Sequence, residues 1–272
     1  MAVCLRDCHC MKKYRIDKSK MIGNVIFVVE GGRPDTGGTE LRLLKRIFAD
    51  ILEYEVQELR RGHDEFIAHG HNPHFHVFAL NLPKNQLTQL TDDATNAVYR
   101  RVSEEFHLKP EDCPIFFLYD RDYLSYKANE LRGPYVRRYT DPYGDDQGNQ
   151  GQLLLSYPAV ESYVLSCFQT NVYEQSFFLG KDLKPELAKA SLSEEDISNE
   201  DHLIHAATEM DVGLEAFGLG QYDLDGLAPT LLGVYDCQQE KFGKDGSFSL
   251  LSLISMALLE LGILVEEDDF DV

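Results

Sequence analysis

The sequence predicts an α/β protein, a Rossmannoid parallel sheet flanked by helices and followed by a helical C-terminal region. Three observations carry that prediction. The run 24–29 (Asn-Val-Ile-Phe-Val-Val) is apolar and β-branched over a full strand length, as in a sheet covered on both faces. A second apolar and aromatic run, 114–119, stops abruptly at Asp120. Between and after these runs, strand-length and helix-length patterns alternate, which calls for crossover connections and a parallel sheet.

Each element follows from local chemistry. Glu30 ends the first strand, and Gly31, Gly32, Pro34, Gly37 and Gly38 form a loop. Thr39 starts a helix to about residue 52, with Leu41, Leu44, Ile47, Phe48 and Ile51 on one face. Residues 54–60 alternate weakly as a strand, 63–76 read as a loop, and 75–80 form a better strand. A helix from 87 or 92 to 106 leads into the strand at 115–119. A polar helix or turn then runs to about 131, and 141–151 is rich in turn formers. Residues 153–156 make a further strand, and Pro158 opens a helix over 159–168 with Glu161 in its first turn. Helical segments are expected at 184–192, 194–217, 227–242 and 247–263, the last buried nearly all round, before a solvated acidic tail at 266–269. The expected division is an arm over 1–21, an α/β unit over 22–170 and a helical region over 171–272.

Composition narrows the class. With 272 residues, 43% of them hydrophobic, the chain can bury a sizeable core. No apolar run approaches the roughly 20 residues needed to span a bilayer, so no membrane partner is expected. Residues 1–20 lack the apolar core of a secretory signal, so the expected location is the cytoplasm. Reduced thiols fit that compartment, with Cys113, Cys167 and Cys237 each alone in apolar surroundings. Cys4, Cys8, Cys10 and His9 form a denser cluster in which a zinc site is conceivable, but without a second ligand pair of the CxxC type nearby it reads first as a mobile end with adventitious thiols. The net charge of −20 opposes broad attraction to nucleic-acid phosphates, so such a substrate would be gripped at a local patch or within a complex.

The chemistry concentrates in carboxylates. Asp120 and Asp122 stand two apart at a strand's carboxyl end, where parallel sheets place ligands, and a pair of anions there calls for a hard cation such as Mg²⁺. The simpler alternative is a strand followed by a polar turn, with Asp120 capping the next helix. A second candidate is the set His63, His69, His71, His74 and His76, in which 69/71 and 74/76 share strand-face spacing. It reads first as a polar loop running into a strand, without an accompanying Cys or carboxylate pattern. Gly180-Lys181 and Gly243-Lys244 lack the framework of a phosphate loop, so no ATPase is read.

Taken together, Val28-Val29-Glu30-Gly31 on a first strand and Leu118-Tyr119-Asp120-Arg121-Asp122 on a later one resemble the Glu and Asp-x-Asp motifs of the TOPRIM fold. That fold occurs in topoisomerases, primases, small RNA-processing nucleases and the OLD family of defence nucleases. The resemblance covers about 22–170. A third stretch, Ser156-Tyr157-Pro158-Ala159-Val160-Glu161, resembles the segment of OLD-like and stand-alone anti-phage TOPRIM proteins whose helix brings another glutamate to the site. One departure is that Asp35 and Glu40 are offset from Glu30-Gly31 by the glycine-rich loop.

The resemblance implies a Mg²⁺- or Mn²⁺-dependent endonuclease cleaving phosphodiester bonds in DNA or RNA, tRNA among them, as a toxic effector of phage defence beside a separate ATPase. It implies Glu30, Asp120 and Asp122 as catalytic residues, the same three with Glu161 as metal ligands, and Glu40 and Lys127 as accessory residues. Arg121 and Lys127 would help hold phosphate, although a strand would turn Arg121 away from the metal. Lys45 reads as a solvated helix residue. Homo-oligomers are compatible with this reading. The alternative is a catalytically inactive acidic module that kept the fold to regulate or assemble a defence complex.

Overall fold

The computed structural model describes residues 12–30, 38–59, 65–72, 74–82, 92–121, 135–144, 150–223 and 226–267. Strand β1 is Tyr14–Ile16 and β2 is Asn24–Glu30. Helix α1, Thr39–Lys45, continues through a π turn at Arg46–Ile51. Strands β3 (Glu55–Glu58), β4 (Phe66–His69) and β5 (His76–Leu82) precede helix α2, Asp92–Glu105. Then come β6 (Ile115–Asp120), β7 (Thr140–Asp141), β8 (Gly151–Tyr157) and α3 (Glu161–Ser166). The C-terminal part holds β9 (Ser176–Phe177), α4 (Lys184–Ala190), α5 (Glu200–Ala216) and α6 (Leu227–Asp245). It ends with β10 (Phe248–Ser249), β11 (Leu251–Ser252), α7 (Ile254–Glu260) and β12 (Leu264–Glu266).

The main sheet runs β11-β8-β6-β2-β5-β4-β3, with β7 also paired to β8. Its centre is parallel, β8, β6, β2 and β5, as the apolar runs predict. These strands carry buried Val25 to Val29, Ile115 to Tyr119 and Leu153 to Leu155, the core of the molecule. The parallel expectation fails at the two edges. There β3 and β4 pair antiparallel with each other and with β5, and β11 pairs antiparallel with β8. The stretch 63–76, expected to be a loop, contains strand β4. Its Phe66 and Ala68 are buried while Ile67 and His69 are half-buried, an alternation too short to outweigh the flanking polar residues.

The C-terminal region is less helical than expected. The apolar run 247–263 forms two short strands before α7, because Phe248 and Ser249 pair with β9, and Leu251 and Ser252 with β8, before the chain turns into helix. The segment 194–217 divides into a 3₁₀ turn, Glu194–Asp196, and α5, whose cap Asn199 accepts from the His202 amide at 3.2 Å. The expected boundaries at 21/22 and 170/171 run between paired strands, since β1 pairs with β12 and β11 with β8. Ser156 and Ser252 hydroxyls meet at 2.8 Å across the latter seam.

Buried polar contacts tie the first described residues to the last. Tyr14 of β1 donates its hydroxyl to Asp211 of α5, which also accepts from the Tyr222 amide at 2.9 Å. The Tyr222 hydroxyl donates to Glu260 of α7. Burial, reinforced by nearby Asp141, pushes the Glu260 carboxyl up to about 7, against the opposing pull of the Tyr222 hydrogen bond. A carboxyl raised in the folded state stabilises the fold most below its unfolded pKa, and the contribution is lost as pH rises through the folded value. Unfolding free energy should therefore decline between about pH 4.5 and 7. We expect Glu260→Gln to flatten that decline by on the order of 1–2 kcal/mol, allowing for solvent screening at this partly exposed position. Urea midpoints at pH 5 and pH 7.5 for both proteins measure it.

Candidate functional site

The order of the parallel strands creates one opening. From β2 the chain passes to β5 on one side, then returns through α2 to β6 on the other. Connections therefore leave β2 and β6 in opposite directions, and the crevice at their carboxyl ends is a topological switch point, the ligand position of open α/β sheets. Register sets Val29 beside Leu118, so the backbone of Glu30 ends one strand next to the Tyr119-Asp120 end of the other. The side chain of Glu30 lies outside the described residues, as do Asp122, Lys127 and Asp35.

Asp120 is half-buried, and its Oδ1 accepts the Val160 amide at 2.7 Å. It thus caps the entry to α3, a helix 40 residues further on rather than the one that follows it in sequence. Glu161 follows Val160 as the first residue of α3. Glu161 is 6% exposed, and burial is the main cause of its raised pKa, with Lys184 and Arg42 pulling the other way and Glu194 reinforcing the rise. Lys184 Nζ lies 3.8 Å from Glu161 Oε1. Glu40 is buried in the first turn of α1.

Comparison with family models, with curated proteins and with solved structures finds no match. The site therefore rests on its own geometry.

Of the residues singled out by sequence, Asp120 accepts the amide of Val160, the residue before Glu161, while the charged groups around the Glu161 carboxyl are Lys184, Arg42 and Glu194. The backbone of Glu30 ends the strand beside β6. Arg121 departs from the phosphate-holding role. It is fully buried, its guanidinium 5.8 Å from the Tyr235 ring centre and 5.3 Å from that of Phe248, with Gln239 accepting a hydrogen bond. Strand alternation explains this, because it turns Arg121 towards α6 and β10 when Asp120 reaches α3. Lys45 is exposed as expected, 3.6 Å from Glu58. Among the described residues no group of three or more His, Cys, Asp or Glu converges as a metal site.

Sequence reasoning passed over Arg42, Lys184 and Glu194. Arg42 of α1 pairs with Glu194 and, with Lys45, Arg46, Asp50 and Glu58, lines a cavity of about 400 Å³. No spacing in the sequence links these positions, since 152 residues separate Arg42 from Glu194. The donor atoms of Asp120 and Glu161 are oxygens, the set that a hard divalent cation takes. Lys184→Ala should leave stability within about 0.5 kcal/mol, because the side chain is 71% exposed. Thermal unfolding of the variant measures it.

Proposed function

We propose that this chain is a TOPRIM-type nuclease that hydrolyses phosphodiester bonds in DNA or RNA with Mg²⁺ or Mn²⁺, as an effector of phage defence working with a separate ATPase. The observation that carries this reading is the switch point between β2 and β6, with Glu30 and Asp120 on the two strand ends and Glu161 opening the helix that Asp120 caps. In this reading Asp120 and Glu161, with Glu30 and Asp122, hold the cation, which when bound activates water and offsets charge on the phosphodiester.

The chain's own groups have separable tasks. Asp120 accepts the Val160 amide and so holds the entry to α3 at the end of β6. Glu161, buried and raised in pKa, is suited to share a cation or to pass a proton. Lys184 and Arg42 are the cations nearest the Glu161 carboxyl, each paired with a glutamate, Lys184 with Glu161 and Arg42 with Glu194.

The test is incubation of the purified protein with Mg²⁺ or Mn²⁺ and, separately, supercoiled plasmid, single-stranded DNA and total tRNA. Cleavage of one substrate, stopped by a chelator, is the expected result. Intact substrates in all three reactions, with the ATPase partner present as well as absent, would overturn the reading.

A further inference from the structure

We propose that His69 and His76 form a two-histidine Zn²⁺ site at the end of the sheet opposite the carboxylates, with the exposed Glu55 of the same row as a third ligand once its side chain swings in. The three residues stand on one row of the sheet, Glu55 paired with His69 across β3 and β4, and His69 with His76 across β4 and β5. Directly paired residues point to the same face. The two Nδ1 atoms are 3.0 Å apart. Two imidazole nitrogens on one tetrahedral zinc, each at about 2.0–2.1 Å, are separated by about 3.3–3.4 Å, so the pair opens by only a few tenths of an ångström.

Hydrogen bonding fixes the proton between the rings. Gln57 Oε1 lies 3.3 Å from His69 Nε2, and a carbonyl oxygen accepts, so His69 carries its proton on Nε2. His69 Nδ1 is then the acceptor and His76 Nδ1–H the donor. Zinc takes the place of that shared proton. His76 moves its proton from Nδ1 to Nε2 and stays neutral, so both Nδ1 lone pairs face the metal and no proton is released from the pair. Gln57 then plays the outer role usual for zinc histidines, holding the distal N–H and with it the ring orientation. Burial, then neighbouring His69 and His74, lowers the pKa of His76.

The backbone around the pair is already set. The loop between the strands is closed by Gly70 N–H to Phe75 O at 2.9 Å, and His76 N–H bonds Gly23 O at 3.2 Å. Glu55 is exposed and completes the protein ligands by swinging in from β3, with water as the fourth. His71 stands apart, its ring against Tyr54 at 5.7 Å, and serves as a control.

The experiment measures zinc by equilibrium dialysis and calorimetry on the full chain carrying Cys4→Ser, Cys8→Ser and Cys10→Ser, which removes the N-terminal thiols as competing ligands. The expected result is one equivalent of Zn²⁺, lost in His76→Ala and in His69→Ala, retained in His71→Ala, and weakened on the order of tenfold in Glu55→Ala. Circular dichroism confirms that the variants fold, and His76→Gln tests the same loss with a side chain that fills the space. No zinc bound, or zinc that survives both His76 variants or leaves equally with His71→Ala, would overturn the site. Because the row lies at the amino-terminal ends of β2 and β5, either outcome is independent of nuclease activity.

Discussion

Asp120→Asn is expected to abolish Mg²⁺- or Mn²⁺-dependent cleavage and to leave the fold intact. The amide retains an oxygen for the Val160 N–H, now bonded at 2.7 Å, so α3 keeps its cap and stability changes by less than about 1 kcal/mol. What is lost is the negative charge, and a neutral amide oxygen is a much weaker partner for a hard divalent cation. Asp120→Ala makes an informative contrast, because it removes both the charge and the cap and should cost about 1 kcal/mol in addition. Cleavage rates with each metal, beside far-ultraviolet circular dichroism and thermal unfolding, separate the two roles. Wild-type cleavage by the asparagine variant would show that Asp120 only caps a helix.

The neighbouring residue should behave in the opposite way. Arg121→Ala is expected to destabilise the protein by about 3 kcal/mol or more, because it empties a fully buried site between the rings of Tyr235 and Phe248. It also strands the Gln239 side chain that accepts from the guanidinium. Arg121→Met, which keeps most of the volume, should recover part of that loss. Urea unfolding measures both variants. An alanine variant as stable as wild type, but with weakened substrate binding, would return Arg121 to the phosphate-holding role that its burial argues against.

The contrast between these adjacent residues shows what the sequence made legible. Apolar runs of strand length identified β2, β6 and β8, because strands covered on both faces leave no room for polar alternation. The run 75–80 located β5. The two-residue period of a strand also foretold that Arg121 would turn away from the carboxylates. Edges were harder to read. Strands β10 and β11 are two residues each and lie in an apolar run that reads equally well as helix, and β4 sits among histidines and glycines. Tertiary pairing, rather than local pattern, decides such segments.

Glu30 and Asp120 were legible as carboxylates at the ends of apolar strands, and Glu161 as one in the first turn of a helix. Arg42 and Lys184 were not, because a cation becomes part of the site only through packing between elements far apart in the chain. The histidine pair lay between these cases. Spacing within 63–76 suggested same-face neighbours along each strand, yet the contact that forms, His69 with His76, runs across strands and depends on the hairpin register. Alternation within one strand cannot reveal register between two.

The seam on β8 has a consequence for synthesis. The outer edge of this strand is covered at one end by β7 and at the other by β11, with the Leu253 amide bonding Leu155 O at 3.2 Å beyond it. The cover opposite Leu155 to Tyr157 comes from residues close to a hundred positions downstream, as the Ser156 and Ser252 pair illustrates. While the chain is still emerging from the ribosome, β6 and β8 can pair, but the upper half of β8 keeps an open edge until residues 251–253 are made. Helix α3 packs against β11, so the element that carries Glu161 gains this support only once residues 251–253 have been made.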